Sequence, residues 1–153
     1  EQTERNLRAL AFLRDARVEA VPVDDDGDGL LTGGAAPFCA AMLRAMGIAE
    51  HEVYFASALP APMAMPEWDR LAAAGLGQVL RHHIALAAPQ RVLLCGRAQL
   101  ALFGIAPKQA REPLSVDCNG SPHALLAAPD LRNLARSAVR RENFWNRWLD
   151  WTR

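Results

Sequence analysis

The densest cluster of chemically capable side chains is an acidic run, DDDGDG, at positions 24–29. Asp24, Asp26 and Asp28 alternate along it, which is how a calcium-binding loop begins. The twelfth position of such a loop carries a bidentate glutamate, but this chain has Ala35 there. The pattern therefore favours a solvated acidic turn, and we predict no metal site.

A second candidate site lies near the C-terminus, where arginines and tryptophans are interleaved. Arg132, Arg136 and Arg140 recur every four residues, so on one continuous helix they would share a face. Tryptophan beside arginine suits a protein interface or stacking on single-stranded bases. The alternative is a helix docked by its tryptophans with a solvated arginine face. The candidate binding residues here are Arg132, Arg136, Arg140, Arg141, Trp148 and Trp151.

A third candidate is the Cys-Gly-Arg sequence that follows an apolar run. Arg97 would stand where a strand feeds a helix, a position suited to a phosphate contact, although a surface or packing role is the alternative. Cys95 is expected to be a small buried thiol rather than a reactive one. His82 and His83 are adjacent on a predicted helix and point about 100° apart, so they cannot chelate one metal together.

Hydrophobic periodicity predicts the elements that must position these residues. The first half is predicted to contain a helix at 4–16, a strand at 18–23, an acidic loop, a helix at 35–46 ending at Gly47 and a strand at 53–59. The second half is predicted to begin with a loop at 58–66 and a helix from Pro66 to Ala87 that Gly75 and Gly77 weaken. A strand at 91–95 and a helix at 97–103 follow. Strands at 114–117 and 123–128 are predicted around the Asn119-Gly120 turn, and a last helix at 131–150 is predicted to be capped by Asp130.

This alternation of helices and strands predicts an α/β fold with a mostly parallel sheet and helices on both faces. In such sheets, ligand sites form at the carboxyl ends of the strands. We therefore expect function to lie in the loops that follow the strands.

Composition is typical of a single globular domain spanning 1–153. Of 153 residues, 51% are hydrophobic and 22% charged, and no apolar run approaches the roughly 18 residues that span a bilayer. We therefore predict no membrane association. The three cysteines are widely separated, which predicts reduced thiols in a cytoplasmic protein. The first 90 residues carry 7 arginines and 12 acidic residues, whereas the rest carry 10 basic and 5 acidic residues. Because the sequence has no initiator methionine, we expect Glu1 to be a processed or truncated end.

Residues 28–129 resemble the uracil-DNA glycosylase superfamily, most closely its family 4 type. The resemblance is carried by the segments VYFASALPAPMAMPEWDRL, APQRVLLCGRAQLALFG and ALLAAPDLRNLA. It implies a three-layer α/β/α domain with a mostly parallel sheet.

The positions that carry the family's chemistry differ in this chain. The resemblance implies that an asparagine that reads uracil is replaced by Ser57, a histidine before proline by Ala128, and an iron–sulfur cysteine by Ala61. The acidic first-loop motif is also absent. We therefore predict a catalytically inactive relative without a cofactor. The alternative is an active, divergent glycosylase that uses Asp24, Asp25 and Ser57.

The chain is also similar to the psi subunit of the DNA polymerase III clamp-loader complex. The similarity lies in its size, in the segment AMLRAMGIAEHEV and in the Trp-rich end from Leu131 to Trp148. It implies a noncatalytic scaffold in DNA replication or repair whose partner is a protein of that machinery. Single-stranded DNA is the second kind of partner that we expect.

Overall fold

A five-stranded sheet forms the centre of the computed structural model, which describes residues 10–14, 35–59, 65–108 and 114–153. The strands are β1 (Leu10–Arg14), β2 (Val53–Ser57), β3 (Arg91–Cys95), β4 (Leu114–Cys118) and β5 (Ser121–Ala128). They lie in the order β2-β1-β3-β5-β4, and only β4 runs antiparallel to its neighbour. The predicted α/β class with a mostly parallel sheet is therefore confirmed.

The helices are α1 (Ala35–Ala45), α2 (Trp68–Ala73), α3 (Leu76–Ala87), α4 (Leu131–Arg136) and α5 (Ala138–Thr152). Short 3₁₀ helices span Glu50–Glu52 and Arg97–Phe103. The predicted helix at 35–46 is confirmed as α1, and the amide of Ile48 closes its end by donating to the Leu43 carbonyl at 3.0 Å. The helix predicted from Pro66 to Ala87 divides into α2 and α3 at Gly75, as its glycines suggested.

The predicted helix over residues 4–16 is wrong where the structure describes it, because Leu10–Arg14 is a strand. β1 pairs in parallel with β2, from Leu10 opposite Val53, and with β3, from Leu10 opposite Arg91. A short apolar run suits either a buried helix or a central strand, and periodicity alone does not separate the two. Two flanking strands satisfy the backbone of β1 on both sides, which decides the outcome here. The predictions at 18–23 and 24–29 lie outside the described residues.

Helices cover both faces of the sheet. Along β3, Val92 and Leu94 pack with residues of α2, α3 and the 3₁₀ helix Arg97–Phe103, whereas Leu93 and Cys95 pack with residues of α1, α4 and α5. The three apolar residues Val92, Leu93 and Leu94 have no exposed surface. Burial on both faces explains why this strand reads as a continuous apolar run.

The hairpin predicted around Asn119-Gly120 is confirmed between β4 and β5. Cys118 pairs with Ser121 at its closed end, and Leu114 with Leu125 at its open end. Asn119 has φ 53° and Gly120 has φ 86°, as a two-residue turn of this kind requires.

The predicted helix at 131–150 is wrong in one respect, because it is two helices. Ser137 is extended, with φ −121° and ψ 111°, and its hydroxyl accepts from the Arg140 amide at 3.3 Å. The Arg141 guanidinium donates to the carbonyls of Leu134 and Ala135 at 2.9 and 2.8 Å, so it closes the end of α4. Arg132 and Arg136 therefore do not share a continuous helical face with Arg140.

The cysteines Cys39, Cys95 and Cys118 are all buried, and no disulfide joins them. Burial raises the pKa of the Cys118 thiol against the lowering effect of the nearby Arg81 charge. Within the described ranges, no cluster of His, Cys, Asp or Glu could hold a metal ion. No helix of this part of the chain is long and apolar enough to cross a membrane.

Candidate functional site

A cleft of about 580 Å³ opens beside the carboxyl ends of β3 and β5. Gly96 follows β3 and Pro129 follows β5, and both residues line the cleft. The cleft thus lies at the carboxyl edge of the parallel strands, where ligands bind in folds of this kind. The described lining consists of Trp68, Gly96, Arg97, Ala98, Gln99, Pro129, Asp130, Asn133, Arg140, Asn143 and Arg147.

Two guanidinium groups of the lining converge on one carbonyl oxygen. Arg97 donates to the Ala127 carbonyl at 3.4 Å and to the Pro107 carbonyl at 3.0 Å. Arg147 donates to the same Ala127 carbonyl at 3.2 Å. Each guanidinium has five N–H donors in a fixed plane, so these backbone contacts fix its position. Their convergence concentrates positive charge at the end of β5.

One face of α5 adds further donors to the cleft. Arg140, Asn143 and Arg147 all line it, with the i, i+3, i+7 spacing of one helical face. Arg140 is exposed, as a residue that meets a ligand from solvent must be. Neither Asn143 nor Arg147 was among the predicted binding residues, although their spacing from Arg140 could have indicated both.

Gln99 lies beneath the cleft, because it contributes to the lining yet has no exposed surface. Its side-chain amide donates to the Cys95 carbonyl at 2.6 Å, which fixes the orientation of the group. Its other polar atom, Oε1, has no hydrogen-bond partner in the part of the chain that the structure describes. Leaving a buried acceptor without a donor costs about 1–3 kcal/mol of folding free energy. Such an acceptor is therefore expected to receive a hydrogen bond from a ligand or a water.

Asp130 is the carboxylate in the described lining, and its oxygens are already used. Oδ1 accepts from the Asn133 backbone amide at 2.8 Å, and Oδ2 accepts from the Asn133 side chain at 2.6 Å. These contacts confirm Asp130 as the N-cap of α4. The charges of the described lining are therefore three arginines against one carboxylate that is engaged in capping.

Of the residues assigned to the glycosylase alternative, the structure describes Ser57. Ser57 ends β2, and its hydroxyl accepts from the Leu59 amide at 3.2 Å in the turn that follows. Ser57 does not line the cleft. Asp24 and Asp25 lie outside the described residues. Ala128 is fully buried at the end of β5, where the resemblance implied a histidine.

The predicted binding residues are dispersed over the molecule. Arg97 and Arg140 line the cleft, whereas Arg132 and Arg136 are exposed on α4, outside its lining. Trp148 is only 4% exposed, so for this residue the alternative of a docked helix describes the structure. Trp151 contacts the Trp148 ring edge-on at 5.5 Å, and the Arg91 guanidinium lies 5.5 Å above its ring. Arg91 begins β3, so Trp151 lies at the opposite end of the sheet from the cleft.

No protein-family model matches the chain, and no curated protein sequence matches it. Functional inference therefore depends on the geometry of the cleft.

Proposed function

We propose that this chain is a noncatalytic binding module of DNA replication or repair, built on a three-layer α/β/α domain of the uracil-DNA glycosylase type. In this proposal it acts in the cytoplasm as a scaffold similar to the psi subunit of DNA polymerase III. Its partner is a protein of that machinery, and its basic cleft contacts single-stranded DNA.

The observation that carries the proposal is the chemistry of the cleft lining. Arg97, Arg140 and Arg147 are permanent cations, and Asn133 and Asn143 add amide groups. Phosphate groups are anionic acceptors, and arginine binds them with paired hydrogen bonds. A lining dominated by donors is thus complementary to a nucleic-acid backbone.

The state of Asp130 supports a noncatalytic role. A general base must reach the proton that it removes, with an oxygen able to accept it. Both carboxylate oxygens of Asp130 instead accept from Asn133 and hold the start of α4. The group therefore serves the architecture of the cleft.

The fold supports the proposed relationship. Helices pack on both faces of a mostly parallel sheet, as a three-layer domain requires. Arg140, Asn143 and Arg147 of α5 line the cleft beside the carboxyl ends of β3 and β5, where ligand sites form in sheets of this kind.

Binding of a fluorescent single-stranded oligothymidylate, followed by anisotropy, tests the proposal. With two or three phosphate contacts, we expect affinity to fall roughly tenfold between 50 and 200 mM salt. Arg140→Ala should weaken binding and lower the salt dependence. Arg136→Ala is the matched control, because Arg136 is an exposed arginine outside the cleft lining. Equal effects of the two variants, or binding that is insensitive to salt, would contradict the proposal.

Uracil release distinguishes this function from an active glycosylase. We expect no release from a uracil-containing single-stranded oligonucleotide when protein is in excess over DNA. Release above a heat-inactivated control, lost in Ser57→Ala, would establish the catalytic alternative.

A further inference from the structure

We infer that the cleft binds one nucleotide unit, with its phosphate against α5 and its base toward Trp68 and Gln99. The inference rests on the proposed function and specifies which part of a nucleic acid the cleft recognises. Its ligand is a nucleoside monophosphate group, either as a free nucleotide or within a DNA strand.

The phosphate side is defined by α5 and the end of β5. Arg140, Asn143 and Arg147 line the cleft from successive turns of one helical face. The guanidinium of Arg97 approaches the same Ala127 carbonyl as that of Arg147. Three cations from two elements therefore surround one side of the cleft, which is the arrangement that a phosphate group with several acceptor oxygens requires.

The base side has a different chemistry. Trp68 lines the cleft from α2 and is 7% exposed. Gln99 contributes a buried Oε1 acceptor that has no partner among the described residues. A fully ionised phosphate ester, as in a nucleotide or a DNA strand, has no proton to donate to this oxygen. A nucleobase carries N–H donors and a flat face, so it suits both groups.

The size of the cleft limits what it can hold. At about 580 Å³ it falls within the range of roughly 300–1,000 Å³ typical of small-molecule sites. It lies between helices that cover opposite faces of the sheet, with α2 on one side and α5 on the other. This space suits a single nucleotide unit.

Calorimetric titration of the full chain with thymidine 5′-monophosphate, thymidine and inorganic phosphate tests the inference. We expect the nucleotide to bind at least about tenfold more tightly than either component, because only it reaches both sides of the cleft. Arg140→Ala should weaken nucleotide binding by about fivefold to tenfold. Arg136→Ala should leave it unchanged within about twofold.

Tryptophan fluorescence provides a second readout, because Trp68 is the one of the four tryptophans that lines the cleft. We expect the nucleotide to change the emission of the wild-type protein. In Trp68→Phe the change should disappear while calorimetry still detects the nucleotide. A change that persists in Trp68→Phe would place the base elsewhere and overturn the inference.

The remaining outcomes separate this inference from the proposed function. Phosphate binding as tight as nucleotide binding would reduce the cleft to an anion site and overturn the inference. Salt-dependent binding of oligothymidylate that the nucleotide does not compete would also overturn it, while the proposed function stands. If neither nucleotide nor oligothymidylate binds, the inference and the DNA contact of the proposed function both fail. Competition between the two probes, lost in Arg140→Ala, supports the inference and shows that the strand enters through the same cleft.

Discussion

Arginine serves different purposes at the two ends of the sheet. At the carboxyl end, Arg97, Arg140 and Arg147 surround a cleft. At the amino end, Arg91 lies over the Trp151 ring, and the histidine His123 uses Nδ1 to contact the Pro89 carbonyl at 3.3 Å. Arg91 and His123 at the amino end thus pack against the protein, whereas the three arginines at the carboxyl end also line open space. Parallel strands place all their carboxyl ends at one edge, so the topology decides which end can hold a ligand.

The helix α5 connects the two ends. Arg140 near its start lines the cleft, and Trp151 near its end contacts Arg91, about 16 Å away along the helix axis. Trp148 anchors the helix in the core between them. A change in this anchor should therefore affect both ends, whereas a change at either end should remain local.

The largest effect is expected from Trp148→Ala, which removes the common anchor. Truncating a buried tryptophan costs about 3–5 kcal/mol of unfolding free energy. Urea denaturation followed by circular dichroism measures the loss. Val139→Ala on the same helix is the control, because Val139 is 65% exposed and should change stability by less than about 0.5 kcal/mol. A loss below about 1 kcal/mol for Trp148→Ala would mean that α5 is anchored elsewhere.

Gly77→Ala should be the next largest, because it disturbs the support of the carboxyl end alone. A methyl group at Gly77 would lie 2.1 Å from the Leu102 carbonyl oxygen, in the 3₁₀ helix that carries Arg97 and Gln99. Overpacking of this kind costs about 1–3 kcal/mol. We expect lower stability together with weaker nucleotide binding, measured by urea denaturation and calorimetry. The exposed neighbour Gln78, changed to Ala, should alter neither, and equal behaviour of the two variants would contradict the expected close packing.

Local signals in the sequence predicted most of the elements that frame the cleft. The apolar run 91–95, the Asn119-Gly120 turn and the Asp130 cap each depend on neighbouring residues, and each is confirmed. The strand β1 was missed because its conformation depends on pairing with β2 and β3, which are distant along the chain. The break at Ser137 was missed because its capping hydroxyl interrupts a segment that otherwise favours a helix.

The cleft itself was predicted only in part. Arg97 and Arg140 were identified from their positions after a strand and on a basic helix. Trp68 and Gln99 were not, because α2 and the 3₁₀ helix meet α5 only when the sheet places the ends of β3 and β5 side by side. This proximity depends on tertiary packing, which residue spacing along the chain does not predict. The positions of Trp148 and Trp151 away from the cleft depend on the same packing.

Arg91→Ala tests whether the amino end is structural. The cation–π contact with Trp151 is worth about 0.5–1 kcal/mol at a partly exposed site, and we expect a loss of that size in urea denaturation. Nucleotide and oligothymidylate affinity should stay within about twofold of wild type, because Arg91 lies at the far end of β3. Arg153→Ala is the control, because Arg153 lies near the same end and its ion pair with Asp150 is exposed. A clear loss of affinity in Arg91→Ala alone would mean that ligand also contacts the amino end.

The smallest effect is expected from Asp130→Asn, which separates charge from architecture within the cleft. Asparagine caps a helix about as well as aspartate, so stability should change by less than about 0.5 kcal/mol. Removing the negative charge from a lining that contains three arginines should tighten nucleotide binding by about twofold, and more at low salt than at high salt.

Asp130→Ala is the informative partner of that variant. It removes the same charge but also the cap, so it should gain similar affinity while losing about 1 kcal/mol of stability. Weaker nucleotide binding in both variants would mean that the carboxylate itself contacts the ligand, as it would if it accepted a proton or a hydrogen bond from a bound base. In that case Asp130 acts at the carboxyl end as a ligand-binding group, and the distinction between a cleft of donors and a supporting cap no longer holds.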